Sequence, residues 1–279
     1  MDAKYARHYQ QQGYVVVSGL FSDDEVTRLR DHYMTFRPAP PADGDSRNQN
    51  IHEGDPLKLY ARLMQPHRTD ETSLRWLIDP RLNHCLTALL GAEPYAVQTM
   101  VYYKPAGSRG QALHQDQFYL RVNPGTCMAA WMALDDCDEE NGCLQVVPGT
   151  QDIPVLCSKE ADPDQSFTSD TVDLPTGMQP VPVVMRAGDV LFFNGQLVHG
   201  SFPNSSKDRF RRSLIGHYIV GEAQQVAQWY HPVLRMDGTE ADLGTSSWGG
   251  QCGVWVEKDG TPVVELAGRE TRQTYAEAH

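Results

Sequence analysis

ALHQDQFYL, residues 112–120, sets His114 and Asp116 two apart inside a segment that otherwise reads as a buried strand. In an extended strand, residues i and i+2 point to the same face, with Cα atoms about 6.5–7 Å apart. An imidazole and a carboxylate at that spacing can converge on one metal ion. The same spacing also suits an ordinary hydrogen-bonded His–Asp pair near a sheet edge, and the spacing alone favours the ordinary pair. The surroundings have to decide.

Those surroundings are strand-rich. From residue 95 the chain alternates short β-branched or aromatic runs with turn signals. The expected strands are YAVQTMVYYK (95–104), LHQDQFYLRV (113–122), TCMAAWMALDD (126–136), CLQVVPG (143–149), PVPVVMRAG (180–188), DVLFFN (189–194) and RRSLIGHYIV (211–220). Many short strands at this spacing, after a helical N-terminal part, predict a mostly β fold with flanking α-helices: a jelly-roll, the cupin-like double-stranded β-helix. Before it, GYVVVSGLF reads as a strand, and Ser22 three residues ahead of Glu25 is a capping-box signature for a helix. DETSLRWLIDPRLNHCLTALLG (70–91) has helical spacing broken by Pro80 and stopped by Gly91. RPAPPADGDSRNQN (37–50) reads as a polar loop and a candidate lid. GVWVEKDGTPVVELAG (253–268) reads as a hairpin about Asp259-Gly260 and a candidate dimerisation element. The whole of 1–279 is read as one domain, with a strand–helix part (1–94), the jelly-roll (95–222) and a hairpin extension (223–279).

Composition narrows the function classes. A net charge of −12 argues against nucleic-acid binding and gives no support to docking on anionic membranes. The N-terminal MDAKYARHYQQQGY has no apolar core of a secretory signal, and no stretch approaches a membrane span. The six cysteines contain no C-x-x-C pair, so buried free thiols in a cytoplasmic protein are the default expectation, with a disulfide or two left open.

A third ligand is available in DVLFFNGQLVHGS, where His199 follows a strand and its turn. Two imidazoles and one carboxylate form the facial set of non-haem Fe(II) sites, with positions left open, although the same set also suits Zn(II). A site for a chelating second ligand would discriminate. In RRSLIGHY, strand alternation puts Arg211, Ser213, Ile215 and His217 on one face. A guanidinium at the mouth of an apolar barrel calls for an anion, and its fork matches a carboxylate. A solvated strand end is the plainer explanation for an Arg pair, and a hydrogen-bonded core residue the plainer one for His217.

The ordered set GYVVVSGLFSDDEV, QTMVYYKP, HQDQFYL, AAWMALDDCDEENGCLQVVPGT, AGDVLFFNGQLVHGS, and PN followed by RRSLIGHY resembles the phytanoyl-CoA hydroxylase-like family of Fe(II)/2-oxoglutarate-dependent dioxygenases, over roughly residues 10–220. The resemblance implies that His114, Asp116 and His199 are the metal ligands and that Arg211, assisted by Ser201, holds the distal carboxylate of 2-oxoglutarate. It also implies that Trp131 and Met100 line the co-substrate, and Gln98, two before Met100, is a plausible contact. Trp131 and Met100 serve equally well as core residues. Tyr102, Tyr103, Gln117 and Tyr119 are candidate substrate contacts. The implied cofactors are Fe(II), 2-oxoglutarate and O2, with ascorbate a candidate reductant, and the implied product is a small metabolite hydroxylated, or otherwise oxidised by desaturation, ring closure or epimerisation. This chain departs from the family at Gln151, where relatives carry His after the Pro-Gly-Thr turn. Asp116 is retained, which favours hydroxylation over halogenation. Two rivals stand beside this reading: a cupin-type isomerase or hydrolase that does not use 2-oxoglutarate, and a metal-binding protein without catalysis.

Overall fold

Two antiparallel sheets face each other in the computed structural model, which describes residues 3–36, 54–60, 62–247 and 250–270. The loop read over 37–50 lies outside the described residues. The main strands are, in chain order, β1 (Tyr14–Val17), β2 (Pro94–Lys104), β3 (Gln111–His114), β4 (Cys127–Ala133), β5 (Leu144–Val146), β6 (Val181–Val183), β7 (Val190–Asn194), β8 (His199–Ser201), β9 (Arg211–Val220) and β10 (Val233–Arg235). The larger sheet runs β1-β7-β4-β9-β2-β10, and the smaller runs β3-β8-β5-β6. Neighbours in space are rarely neighbours in sequence, which is the crossover pattern of a jelly-roll.

The larger sheet is apolar on both faces because both are covered. On β4, Met128, Ala130 and Met132 meet the helices, while Ala129, Trp131 and Ala133 point between the sheets. The helical layer comprises α1 (Ala3–Gln12), α2 (Asp23–Thr35), α3 (Glu71–Leu77) and α4 (Pro80–Leu90). Tyr33, Trp76, Leu77, Leu82 and Leu86 pack from it onto Met132, Phe192, Leu214 and Tyr218. Each such side chain contributes about 1.5–3 kcal/mol on full burial.

The local signals act as read. Ser22 and Glu25 form a reciprocal capping box on α2. Asp79 caps α4, Pro80 takes its first turn, and Gly91 closes it in the left-handed region at φ +75°. Helix α1 was not anticipated. Its residues are largely polar and only Tyr9 is buried, so no apolar stripe announces it.

The sequence reading needs two corrections. The segment 113–122 is not one strand: β3 ends at His114, and Gln117–Leu120 forms a helical turn, α5. The physical cause lies in two glutamines. Gln115 accepts from the Leu156 N–H and donates to Gln196 O, while Gln117 accepts from the Cys127 N–H. The turn is thereby tied to three neighbouring segments. The second correction concerns thiols: Cys157 and Cys252 form a disulfide, and Cys85, Cys127, Cys137 and Cys143 are free and buried.

That disulfide anchors the terminal hairpin, β11 (Gln251–Lys258) and β12 (Thr261–Glu270). Its Asp259-Gly260 turn has both residues at positive φ, as a two-residue hairpin turn requires. Trp255 and Val264 pack against a small cluster of Leu156, Val172 and Val198. Among the described residues no helix is long and apolar enough to cross a membrane.

Candidate metal and co-substrate site

β3 and β8 pair with His114 directly opposite His199, which brings the two imidazoles to 4.3 Å between ring centroids. Asp116 enters from the first residues of the helical turn, in the right-handed helical region. The two candidate ligands therefore converge because the chain bends after His114, and not because they share a strand face. Asp116 Oδ1 lies 3.6 Å from His114 Nε2 and 3.7 Å from His199 Nε2. One ligand atom from each residue falls within 4.8 Å of the others, and all three residues are buried.

The protonation pattern suits a cation. His114 Nδ1 lies 2.8 Å from Ala112 O, and His199 Nδ1 lies 3.0 Å from Leu197 O. Carbonyls can only accept, so both Nδ1 atoms carry the proton and both Nε2 lone pairs face the centre. Gln111 Nε2 sits 3.2 Å from His114 Nε2, placed to donate to that lone pair. Burial, reinforced by the neighbouring His114, pushes His199 down to about 4. Burial alone would raise Asp116, but the surrounding histidines, with the close contact of His217, hold it well below the usual carboxylate range. A neutral His199 and an ionised Asp116 are thus favoured, and with the His114 imidazole they form a donor set that suits a divalent transition-metal ion with open positions.

Behind this centre, one cavity is lined by the three candidate ligands together with Met100, Tyr102, Trp131, Ser201 and Arg211 among others. Arg211 is 2% exposed. Its Nε donates to Gly142 O at 3.0 Å and its Nη1 to Ser213 Oγ at 3.1 Å, with the guanidinium over the Trp131 ring. No carboxylate of the described residues hydrogen-bonds it. Arg212 instead points the other way and forms a two-pronged pair with Asp135, and only Arg211 of the two lines the cavity.

Of the residues singled out from sequence, His114, Asp116, His199, Arg211, Ser201, Trp131, Met100 and Tyr102 all line this cavity. Gln98 is buried opposite His217 on β2 and stays outside the lining. Tyr103 faces the helices and donates to Tyr33 O, so it is a core residue. Gln117 is spent on Cys127 N and Val122 O. Tyr119 stacks edge-on to His114 and lines a second, smaller cavity with Phe118, Leu156 and Asp170. Gln151, at the family's His position, bridges to Gln10 O and packs under Gly13, away from the metal centre.

Sequence reasoning undervalued His217. Its Nε2 lies 3.0 Å from Asp116 Oδ2, the oxygen turned from the histidine pair, so it orients the carboxylate. The signal was present, since His217 shares a strand face with Arg211. Gln111 and Phe193 also line the cavity and were not singled out, and Ile215 lines it from the strand face it shares with Arg211.

A jelly-roll holding two imidazoles and a carboxylate, with a buried arginine along the same cavity, is the arrangement of mononuclear non-haem Fe(II) oxygenases that take a 2-oxo acid as co-substrate. The chain belongs to the phytanoyl-CoA dioxygenase family (PhyH), whose model matches residues 9–213, and it is an Fe(II)- and 2-oxoglutarate-dependent dioxygenase. Peroxisomal phytanoyl-CoA dioxygenase of Bos taurus is 27% identical over 232 residues, 78% of this chain and 68% of that protein. Methylphosphonate hydroxylase of Gimesia maris is 28% identical over 231 residues, 80% of this chain and 82% of that protein. Among solved structures, the non-heme alpha ketoglutarate dependent carbocyclase SnoK from nogalamycin biosynthesis superposes with a TM-score of 0.62 at 23% identity, over 80% of this chain and 86% of that one. EctD from S. alaskensis, solved with 2-oxoglutarate and 5-hydroxyectoine, gives 0.60 at 23% identity, over 79% and 76%. These two likenesses concern the fold.

Proposed function

We propose that His114, Asp116 and His199 hold the Fe(II), that Arg211 and Ser201 bind the far carboxylate of 2-oxoglutarate, and that the enzyme oxidises an unactivated C–H bond of a small organic metabolite. The single observation that carries this reading is the shared cavity: the three candidate ligands and a buried arginine without a carboxylate partner among the described residues line the same space. When bound, iron would activate O2 as the oxidant, with two of the four electrons O2 takes up coming from 2-oxoglutarate, which leaves as succinate and carbon dioxide, and two from the substrate. The chain's own residues bind, orient and shield. His217 fixes the Asp116 carboxylate, Trp131 and Met100 wall the co-substrate, and Phe193 and Ile215 keep the cavity apolar.

Substrate is proposed to approach past the second cavity, whose Phe118, Tyr119, Leu156 and Val172 sit against His114. A free metabolite is favoured over a CoA thioester, because a chain of net charge −12 offers poor electrostatic attraction to the CoA phosphates. The whole chain is read as one catalytic domain, with the disulfide-anchored hairpin as its self-association surface. A cytoplasmic location would expose the Cys157–Cys252 pair to reduction, so the pair is a dithiol there if the enzyme is cytoplasmic. The test is succinate formation from 2-oxoglutarate in the presence of candidate substrates: free small metabolites should stimulate it and CoA esters should not. Stimulation by acyl-CoA alone would overturn the substrate class.

A further inference from the structure

The smaller cavity beside His114 carries the opposite charge to the larger one. His114 lines both, with Arg211 in the larger and Asp170 in the smaller. Asp170 is 8% exposed. No lysine or arginine among the described residues lines its cavity, and Arg121, whose guanidinium lies 5.8 Å from the Phe118 ring centre, is not part of the lining. The Ser169 hydroxyl donates to Asp170 Oδ2 at 3.2 Å. A hydroxyl donor shares a carboxylate without neutralising it. Ser158 Oγ, in the same cavity, is buried and has no hydrogen-bond partner among the described residues. Buried polar groups are ordinarily paired, so this hydroxyl is open to a ligand.

The walls are in place before any ligand arrives. Leu156 N donates to Gln115 Oε1 at 2.7 Å, and the Cys157–Cys252 bridge ties the next residue to the terminal hairpin. Glu160 pairs with Asp170 in a short antiparallel ladder, and Val172 N donates to Leu113 O at 2.9 Å, which fixes the Asp170 strand beside β3. Like charges directly opposite across a ladder repel each other, and a cation in the cavity relieves that repulsion. Phe118, Leu156 and Val172 are buried and give the same space its apolar faces.

We infer that the smaller cavity binds the amine end of the substrate: Asp170 and Ser158 hold an ammonium, and Phe118, Leu156 and Val172 hold the carbon chain that leads to the metal at His114. This rests on the proposed reading of His114 as an iron ligand and of the larger cavity as the 2-oxoglutarate site. The opposite signs sort the two ligands, since the acid that attracts an amine repels a dicarboxylate. The substrate class is a small organic amine, which a net charge of −12 also attracts in solution.

The test is proton relaxation of three probes, butylammonium, n-butanol and butyrate, with the full chain loaded with Mn(II) and saturated with 2-oxoglutarate. Paramagnetic Mn(II) speeds the relaxation of protons held near it, so the signal reports binding beside His114. Saturating 2-oxoglutarate closes the Arg211 cavity to butyrate. Butylammonium should bind about tenfold tighter than n-butanol, the low end for a hydrogen bond to a charged group, and butyrate more weakly than either. Asp170→Asn should bring butylammonium within about twofold of n-butanol and leave the affinities for Mn(II) and 2-oxoglutarate within about twofold. Ser158→Ala should weaken butylammonium about two- to tenfold. Equal binding of the three probes, a preference for butyrate, or an undiminished ammonium preference in Asp170→Asn overturns the inference. If Asp170→Asn does not fold, the order of the probes on the unmodified protein decides. Failure of the unmodified Mn(II) protein to bind 2-oxoglutarate would instead refute the co-substrate reading, and butylammonium against n-butanol on the Mn(II) protein would still decide the amine class.

Discussion

Replacing Arg211 by alanine removes the group proposed to hold the far carboxylate of 2-oxoglutarate. The guanidinium is held by Gly142 O and Ser213 Oγ and flanked by Trp131, so it is preorganised before any ligand arrives. A charged hydrogen bond contributes about 1.5–3 kcal/mol, and loss of one partner from a buried charged pair costs about 2–5 kcal/mol. Ser201 remains and retains part of the interaction. The expected net loss is about 3–4 kcal/mol, or two to three orders of magnitude in the Kd for 2-oxoglutarate. Iron affinity should change little, because no atom of Arg211 hydrogen-bonds a candidate ligand. The assay is anaerobic titration of the Fe(II) protein with 2-oxoglutarate, beside a separate metal titration. Arg211→Lys should recover only part of the loss, since an ammonium cannot reproduce the two-pronged contact. An unchanged Kd for 2-oxoglutarate in Arg211→Ala would refute the assignment of the cavity's arginine.

Other perturbations probe separate parts of the molecule. His217→Phe should weaken divalent-metal binding about ten- to hundredfold by freeing the Asp116 carboxylate, and an unaltered metal Kd would demote His217 to plain packing. Cys252→Ser opens a bridge of sequence separation 95 and should lower unfolding stability by about 2–4 kcal/mol without altering metal affinity; denaturant melts check this. Glu25 has its pKa lowered to about 2, chiefly by the hydrogen bond from Arg81. Its stabilisation is present above the ordinary value of 4.5 and is lost as pH falls from there toward 2. The pair is partly solvated, so Glu25→Gln should cost about 1 kcal/mol at neutral pH, and the gap to the unmodified protein should close on acidification. A pH-independent gap would contradict that sign.

Particular residues show how far the sequence could be read. Strand alternation on RRSLIGHY correctly put Arg211, Ser213, Ile215 and His217 on one face, because β9 is a long central strand with few irregularities before His217. The capping box and Pro80 were legible because they act within a few residues. The closeness of His114 and Asp116 in HQD was legible but the shape was not, since the bend after His114 depends on Gln115 and Gln117 reaching segments about 10 to 80 positions away. The Cys157–Cys252 bridge escaped for the same reason: it joins residues distant in sequence, and no local pattern marks it. Helix α1 escaped for the opposite reason, being local but nearly without an apolar face.

The central claim is that one buried cavity holds Fe(II) on His114, Asp116 and His199 and chelates 2-oxoglutarate beside it. Anaerobic absorption spectroscopy of the purified protein with Fe(II), before and after 2-oxoglutarate, tests it most directly. A weak visible charge-transfer band should appear on adding 2-oxoglutarate to the unmodified protein and be absent in His114→Ala. No band from folded protein with iron demonstrably bound would contradict the claim.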